Sequence, residues 1–117
     1  MKIKTIVSLL FASMLLVSVS CKKPDLLIPN CDLSNPTYDS DIKTIIDSYC
    51  TGGICHDAGS KRGDFTNYAT MFPFLTADKF EERVLVLQDM PRGRSKVLTQ
   101  EEIDKIQCWV DNGYPEN

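Results

Sequence analysis

Two of the five cysteines and the one histidine of this 117-residue chain lie within residues 50–56. Cys50 and Cys55 flank four residues, and His56, the only histidine, follows at once. Met90 comes 34 residues later, just before the last amphipathic segment. Two thiols, an adjacent imidazole and a distant thioether are the groups needed to attach a haem covalently and to bind its iron on both faces. The pattern therefore predicts thioether attachment at the two cysteines, with the histidine and Met90 as iron ligands.

The N-terminus has the pattern of an export signal. A short positively charged stretch precedes the mostly apolar segment 6–19, which is shorter than the about 20 apolar residues needed to span a bilayer. The small residues before Cys21 resemble a bacterial lipoprotein processing site, although Ser18 stands where leucine is usual. We predict a signal peptide over residues 1–20 and a lipid on Cys21. The alternative is that Cys21 is a free or disulfide-bonded cysteine.

The odd number of cysteines supports the lipid. An exported chain with five cysteines rarely leaves one thiol idle in an oxidising compartment. If Cys21 carries lipid and the two attachment cysteines carry haem, Cys31 and Cys108 remain and can pair. The rival assignment places lipid on Cys21 and two disulfides among the other four cysteines. Counting alone does not separate the two assignments.

Composition limits the size of the domain and its partners. Removal of residues 1–20 leaves 97 residues, with 11 basic and 16 acidic side chains and a net charge of −5. No basic stretch is concentrated enough for nucleic-acid binding, so we expect none. Burial of apolar surface alone gives such a small domain a thin stability margin, and a covalent haem would supply the missing core. The negative charge favours positively charged redox protein partners.

Prolines separate the anchor from the folded domain. Pro24, Pro29 and Pro36 prevent regular structure in the segment that contains them. Residues 21–38 are therefore predicted to form a lipid-anchored tether, and residues 39–117 to form the domain.

Helical periodicity runs through the first half of this domain. Apolar residues recur at helical spacing after Ser40, a candidate N-cap, and predict a first helix that leads directly into Cys50. A short helical turn over residues 67–71 is predicted to stop at Pro73.

Two further helical segments follow in the second half. One is predicted to start at Thr76 as its cap and to place Phe80, Val84 and Leu87 on one face. The last has the clearest signals, because Thr99 and Glu102 form a capping box and Gly113 is a typical C-terminal stop. No strand pattern occurs, so the fold class is predicted to be all-α.

Residues 39–117 resemble a class I c-type cytochrome domain, in particular the short domains found on exported lipoproteins of Bacteroidetes-type bacteria. The matching positions are the helix entering Cys50, Cys55-His56, Gly63-Asp64-Phe65, Tyr68, Arg83-Val84, Met90-Pro91, and Leu98-Thr99 through Ile106, Trp109 and Gly113. The resemblance implies three to four short helices around one covalent haem c, with the first and last helices crossing beside it.

The spacing of the two attachment cysteines departs from this family. The usual motif has two residues between its cysteines, whereas this chain has four, including Gly52 and Gly53. The distance between the haem vinyl groups is fixed, so the extra residues are expected to bulge outward. A glycine pair suits such a bulge because it adopts backbone conformations that other residues avoid.

The ligand set predicts an electron carrier and not an enzyme. With His56 and Met90 on both faces of the iron, no position remains open for substrate. We expect a monomeric, exported carrier that lipid at Cys21 anchors to a membrane. Lys22 stands where some bacteria place an aspartate for inner-membrane retention, so the resemblance favours the outer membrane.

Two alternatives stay open at the level of sequence. One is a structural or binding lipoprotein without haem, held together by two disulfides. The other is a haem sensor or enzyme in which Met90 is labile and a small ligand replaces it. Met71 is a competing thioether, although its aromatic surroundings predict a position in the core.

Overall fold

Short helices make up the regular structure of residues 29–93 and 96–117, which the computed structural model describes and which contain no β-strand. The four α-helices are α1 (Lys43–Tyr49), α2 (Tyr68–Leu75), α3 (Lys79–Glu81) and α4 (Gln100–Asp111). One π-helical turn, Tyr38–Ile42, leads into α1, and a second, Glu82–Val86, extends α3. A 3-10 turn, Cys31–Leu33, precedes them. The prediction of a small all-α fold is confirmed.

The predicted signal peptide and the lipid site at Cys21 lie outside the described residues. Among residues 29–93 and 96–117, no helix is both long enough and apolar enough to cross a membrane.

The first helical segment begins earlier than predicted. Thr37, and not Ser40, is the N-cap, since its hydroxyl accepts the backbone N–H of Ser40 at 3.3 Å. The next residue, Tyr38, is 2% exposed, and its N–H donates to the Pro115 carbonyl at 2.9 Å. Burial of this ring draws the chain into helical structure before Asp39. The packed domain therefore includes the end of the segment predicted as tether.

Trp109 on α4 occupies the middle of the core. Its ring is fully buried and lies within 6.3 Å, centroid to centroid, of the rings of Tyr38, Phe80 and Tyr114. Its indole N–H donates to the Pro115 carbonyl at 2.9 Å, which satisfies the one polar group that burial would otherwise penalise. The first and last helical segments are thus joined through this side chain.

Helix α2 passes through Pro73 instead of stopping there. Asn67 caps the helix by accepting the Thr70 N–H at 3.0 Å. Proline costs the helix a hydrogen bond, but Met71 and Leu75 lie on either side of it and are fully buried. Their burial holds the helix together across the proline, so the predicted stop was wrong.

The third segment starts later than predicted and turns Leu87 outward. Thr76 is the C-cap of α2, and α3 follows Asp78, a residue with φ of +56°. The π-helical turn then pairs the Leu87 N–H with the Glu82 carbonyl at 2.8 Å, five residues back. The wider turn shifts the periodicity, so Val84 remains buried while Leu87 is 55% exposed.

Helix α4 has the predicted termini. Thr99 and Glu102 satisfy each other's backbone donors in a capping box, and Gly113 follows the helix with φ of +79°. Local signals alone specify this helix, because each of these residues acts within one turn of its end.

A disulfide joins Cys31 to Cys108, whose Cα atoms are 5.2 Å apart. The bond links the end of the predicted tether to α4 and closes a sequence separation of 77 residues. Such a bond typically stabilises a fold by about 2–4 kcal/mol.

Candidate functional site

A cavity of about 590 Å³ lies between the Cys50–His56 segment, helices α2 and α3, and the segment around Met90. Six of its 15 lining residues have aromatic or branched aliphatic side chains: Tyr49, Ile54, Phe65, Phe74, Phe80 and Val84. The four residues predicted to hold a haem, Cys50, Cys55, His56 and Met90, all line it. The fold therefore brings together residues that the sequence places on separate segments.

His56 is held in one orientation from two sides. Its Nδ1 lies 3.2 Å from the Gly63 carbonyl oxygen, and its ring stacks on Phe65 with centroids 4.0 Å apart and planes 9° apart. Because a carbonyl oxygen only accepts, Nδ1 is the donor in this contact, and in the neutral imidazole the lone pair then lies on Nε2. A fixed Nδ1–H with a free Nε2 is the usual arrangement of a metal-binding histidine.

The attachment cysteines are both thiols and are not bonded to each other. Cys50 ends α1, where its N–H donates to the Ile46 carbonyl at 2.8 Å. Burial raises the pKa of the Cys50 thiol to about 12, with a further increase from Cys55 and an opposing effect from Lys96. The surroundings of the Cys50 sulfur thus favour an uncharged group.

The four-residue gap between the cysteines forms a bulge that neighbouring side chains fix. Gly52 and Gly53 adopt φ of +103° and +71°, values that only glycine adopts easily. The Gly52 N–H donates to the Asp57 carboxylate at 2.8 Å, and the Arg62 guanidinium donates to the Ile54 carbonyl at 2.6 Å. Neither contact was predictable from the sequence, because the spacing of residues does not show which groups the folded bulge brings together.

The segment carrying Met90 is tied to the end of α3. The Met90 N–H donates to the Arg83 carbonyl at 3.3 Å, and the Arg83 side chain donates to the Asp89 carboxylate at 2.6 Å. Met90 itself is half-buried against the core. Met71, the competing thioether, is fully buried on α2 and does not line the cavity.

The charged side chains that line the cavity are all positively charged. They are Arg62, Lys79, Arg83 and Arg92, and no acidic residue of the described chain lies among them. This cluster was not predictable from the sequence, because its residues are dispersed along the chain and the net charge is negative.

The comparisons with known proteins give no identification. No family model, no curated protein and no solved structure matches this chain. Within the part of the chain that the structure describes, no group of three or more histidine, cysteine or acidic residues is arranged to hold a metal ion.

Proposed function

We propose that this protein is a one-electron carrier with a single covalently attached haem c. Cys50 and Cys55 would hold the haem, and His56 and Met90 would bind its iron. The observation that carries the proposal is the convergence of these four side chains on one cavity. The fixed tautomer of His56 supports it independently, because that arrangement leaves Nε2 available as a ligand.

The cavity fits such a group in size and in chemistry. Its volume of about 590 Å³ falls in the roughly 300–1,000 Å³ range of cofactor sites. Phe65 and Phe80 present aromatic surface that suits an apolar macrocycle. The basic side chains at the cavity offer partners for the two haem carboxylates.

The residues around the cavity would suit electron transfer more than substrate chemistry. When bound, haem iron supplies a reversible one-electron couple between its ferric and ferrous states. His56 and Met90 would both serve as iron ligands, which would leave no ligand position for a substrate. The apolar wall that includes Phe65 and Phe80 would place aromatic surface beside the group, and such surroundings disfavour the more highly charged ferric state.

A spectrum and an intact mass test this proposal. The full chain, made in a host with haem-attachment machinery, is expected to show a Soret band and a c-type pyridine haemochrome. Its mass should exceed that of the processed polypeptide by one haem and keep this excess after acid-acetone extraction. A chain without a Soret band, with Cys50 and Cys55 oxidised to a disulfide, would instead support the lipoprotein held by two disulfides.

Lipid at Cys21 would anchor this carrier to a membrane, with the outer membrane as the proposed location. The Cys31–Cys108 disulfide supports this assignment, because it accounts for two of the cysteines that could otherwise pair with Cys21. We expect Cys21→Ser to release the protein from membranes and to leave its absorption spectrum unchanged, since the cavity lies at the other end of the tether. Fractionation of cells followed by immunoblotting measures the release. Wild-type protein found in the soluble periplasmic fraction would contradict the lipid assignment.

A further inference from the structure

The bulge between the two attachment cysteines is bonded to side chains that follow it in sequence. The Asp57 carboxylate accepts the Gly52 N–H at 2.8 Å, near the start of the bulge. The Ser60 hydroxyl donates to the Cys55 carbonyl at 2.8 Å, at its end. Two side chains outside the bulge therefore hold its two halves.

The two ends of the bulge also meet through the main chain. The His56 N–H donates to the Cys50 carbonyl at 3.0 Å, so the residues that carry both thiols and the imidazole form a closed loop. Where α1 ends, the Lys96 ammonium lies 3.4 Å from the Thr51 carbonyl oxygen and 3.5 Å from that of Tyr49. A cation beside the last carbonyls of a helix stabilises that end of the helix. The loop thus starts from a fixed position.

The two glycines of the bulge do not fix its shape by themselves. Gly52 and Gly53 are exposed, and a Cβ added to either would meet no atom within 4 Å. Packing therefore does not hold them. Glycine also loses more conformational freedom on ordering than any other residue. Without the side-chain contacts, the bulge would allow many separations of the two cysteine sulfur atoms.

We propose that Asp57 and Ser60 are positioning residues for haem attachment, which hold the four-residue bulge in the shape that brings both thiols to the two vinyl groups. This inference rests on the proposed function. Each attachment adds a thiol S–H across a vinyl C=C bond, so a C–S bond forms, the hydrogen goes to the other vinyl carbon and no group leaves. The distance between the vinyl groups is fixed. Attachment of the second thiol therefore depends on the separation that the bulge sets.

The number of thioether bonds in each molecule tests this role. The full chain, made in a host with haem-attachment machinery, is expected to carry haem through both cysteines. Asp57→Ala should lower the ratio of doubly to singly attached protein roughly tenfold, and Ser60→Ala should lower it in the same direction. Asp57→Asn keeps an oxygen that accepts the Gly52 N–H, so it should restore the ratio. Alkylation of free thiols followed by peptide mass spectrometry measures the ratio at Cys50 and Cys55.

A shortened bulge separates positioning from a general effect on folding. Deletion of Gly52 and Gly53 leaves the two-residue gap that is usual in the family the chain resembles, so the ratio should no longer depend on the residue at position 57. Asp104→Ala is the matched control in the full-length chain, because it removes a carboxylate that accepts a hydrogen bond within α4, away from the bulge. It is expected to keep the wild-type ratio.

Three results would overturn the proposal. One is a wild-type ratio in Asp57→Ala, and another is an equal loss in Asp57→Ala and Asp57→Asn. The third is an equal loss from Asp57→Ala in the full-length and shortened chains. If the shortened chain takes up no haem, the comparison of Asp57→Ala with Asp57→Asn decides alone. A wild-type chain without a Soret band would contradict the proposed function itself, so the two failures are distinguishable.

Discussion

Met90→Ala is expected to remove the sixth iron ligand of the haem-loaded protein. The weak charge-transfer band that a thioether gives to ferric low-spin haem, at the red end of the visible spectrum, should disappear. The reduction potential should fall by on the order of 0.1 V, within the roughly 0.8 V range that ligation and surroundings control. Carbon monoxide should then bind the ferrous iron readily. Visible spectroscopy and redox titration measure these changes.

Met71→Ala is the matched control for this change. Met71 is fully buried in the core on α2, so its truncation is expected to lower the free energy of unfolding by about 2–5 kcal/mol. The charge-transfer band should persist, because this thioether does not line the cavity. If Met90→Ala kept the spectrum and potential of the wild type, the sixth ligand would have to lie elsewhere. Wild-type protein that binds carbon monoxide readily would favour a sensor or enzyme with a labile Met90.

The attachment of Met90 to α3 bears on the choice between carrier and sensor. Two contacts hold the segment that carries Met90. The Met90 N–H donates to the Arg83 carbonyl, and the Arg83 side chain donates to the Asp89 carboxylate. A labile ligand needs a segment that can leave without breaking many contacts. These two contacts fix the segment to the π-helical turn that extends α3, as the proposed carrier with Met90 as a ligand would require.

Features of the fold that depend on nearby residues were predictable from sequence. Helix α4 follows from Thr99, Glu102 and Gly113, which act within a turn of its ends. The outward turn of Leu87 was not predictable, because a π-helical turn changes the helical period without a signal in residue type. Thr37 as the first cap was also missed, since the burial of Tyr38 depends on contacts with the distant C-terminus.

The candidate site also has one part that was predictable from sequence and one part that was not. The sequence was enough to identify the four candidate residues, Cys50, Cys55, His56 and Met90. Their thiol, imidazole and thioether groups are the ones that attach haem and bind its iron. The contacts that orient these side chains were not predictable. His56, for example, is oriented by the carbonyl of Gly63, and every residue of a chain has such a carbonyl. Only the fold decides which carbonyl meets the imidazole.

Gly63→Ala is expected to disturb that contact and the core together. Gly63 has φ of +108°, which strains any residue with a side chain, and an added Cβ would lie 2.6 Å from the ring of Phe74. Strain and overlap should together lower the free energy of unfolding by roughly 2–5 kcal/mol. Displacement of the Gly63 carbonyl should also change the orientation of His56, which the ferric haem would report in its electron paramagnetic resonance spectrum. Chemical denaturation and this spectrum are the two measurements.

Gly93→Ala separates overlap from backbone strain. Gly93 has nearly the same φ, +110°, but an added Cβ meets no atom within 4 Å. Its substitution should therefore cost only the strain, about 1–3 kcal/mol, and leave the resonance spectrum unchanged. If both variants lost the same stability, the Phe74 ring would have to move aside freely. If Gly63→Ala also kept the wild-type resonance spectrum, the carbonyl at this position would not orient His56, and the histidine would owe its position to stacking on Phe65 alone.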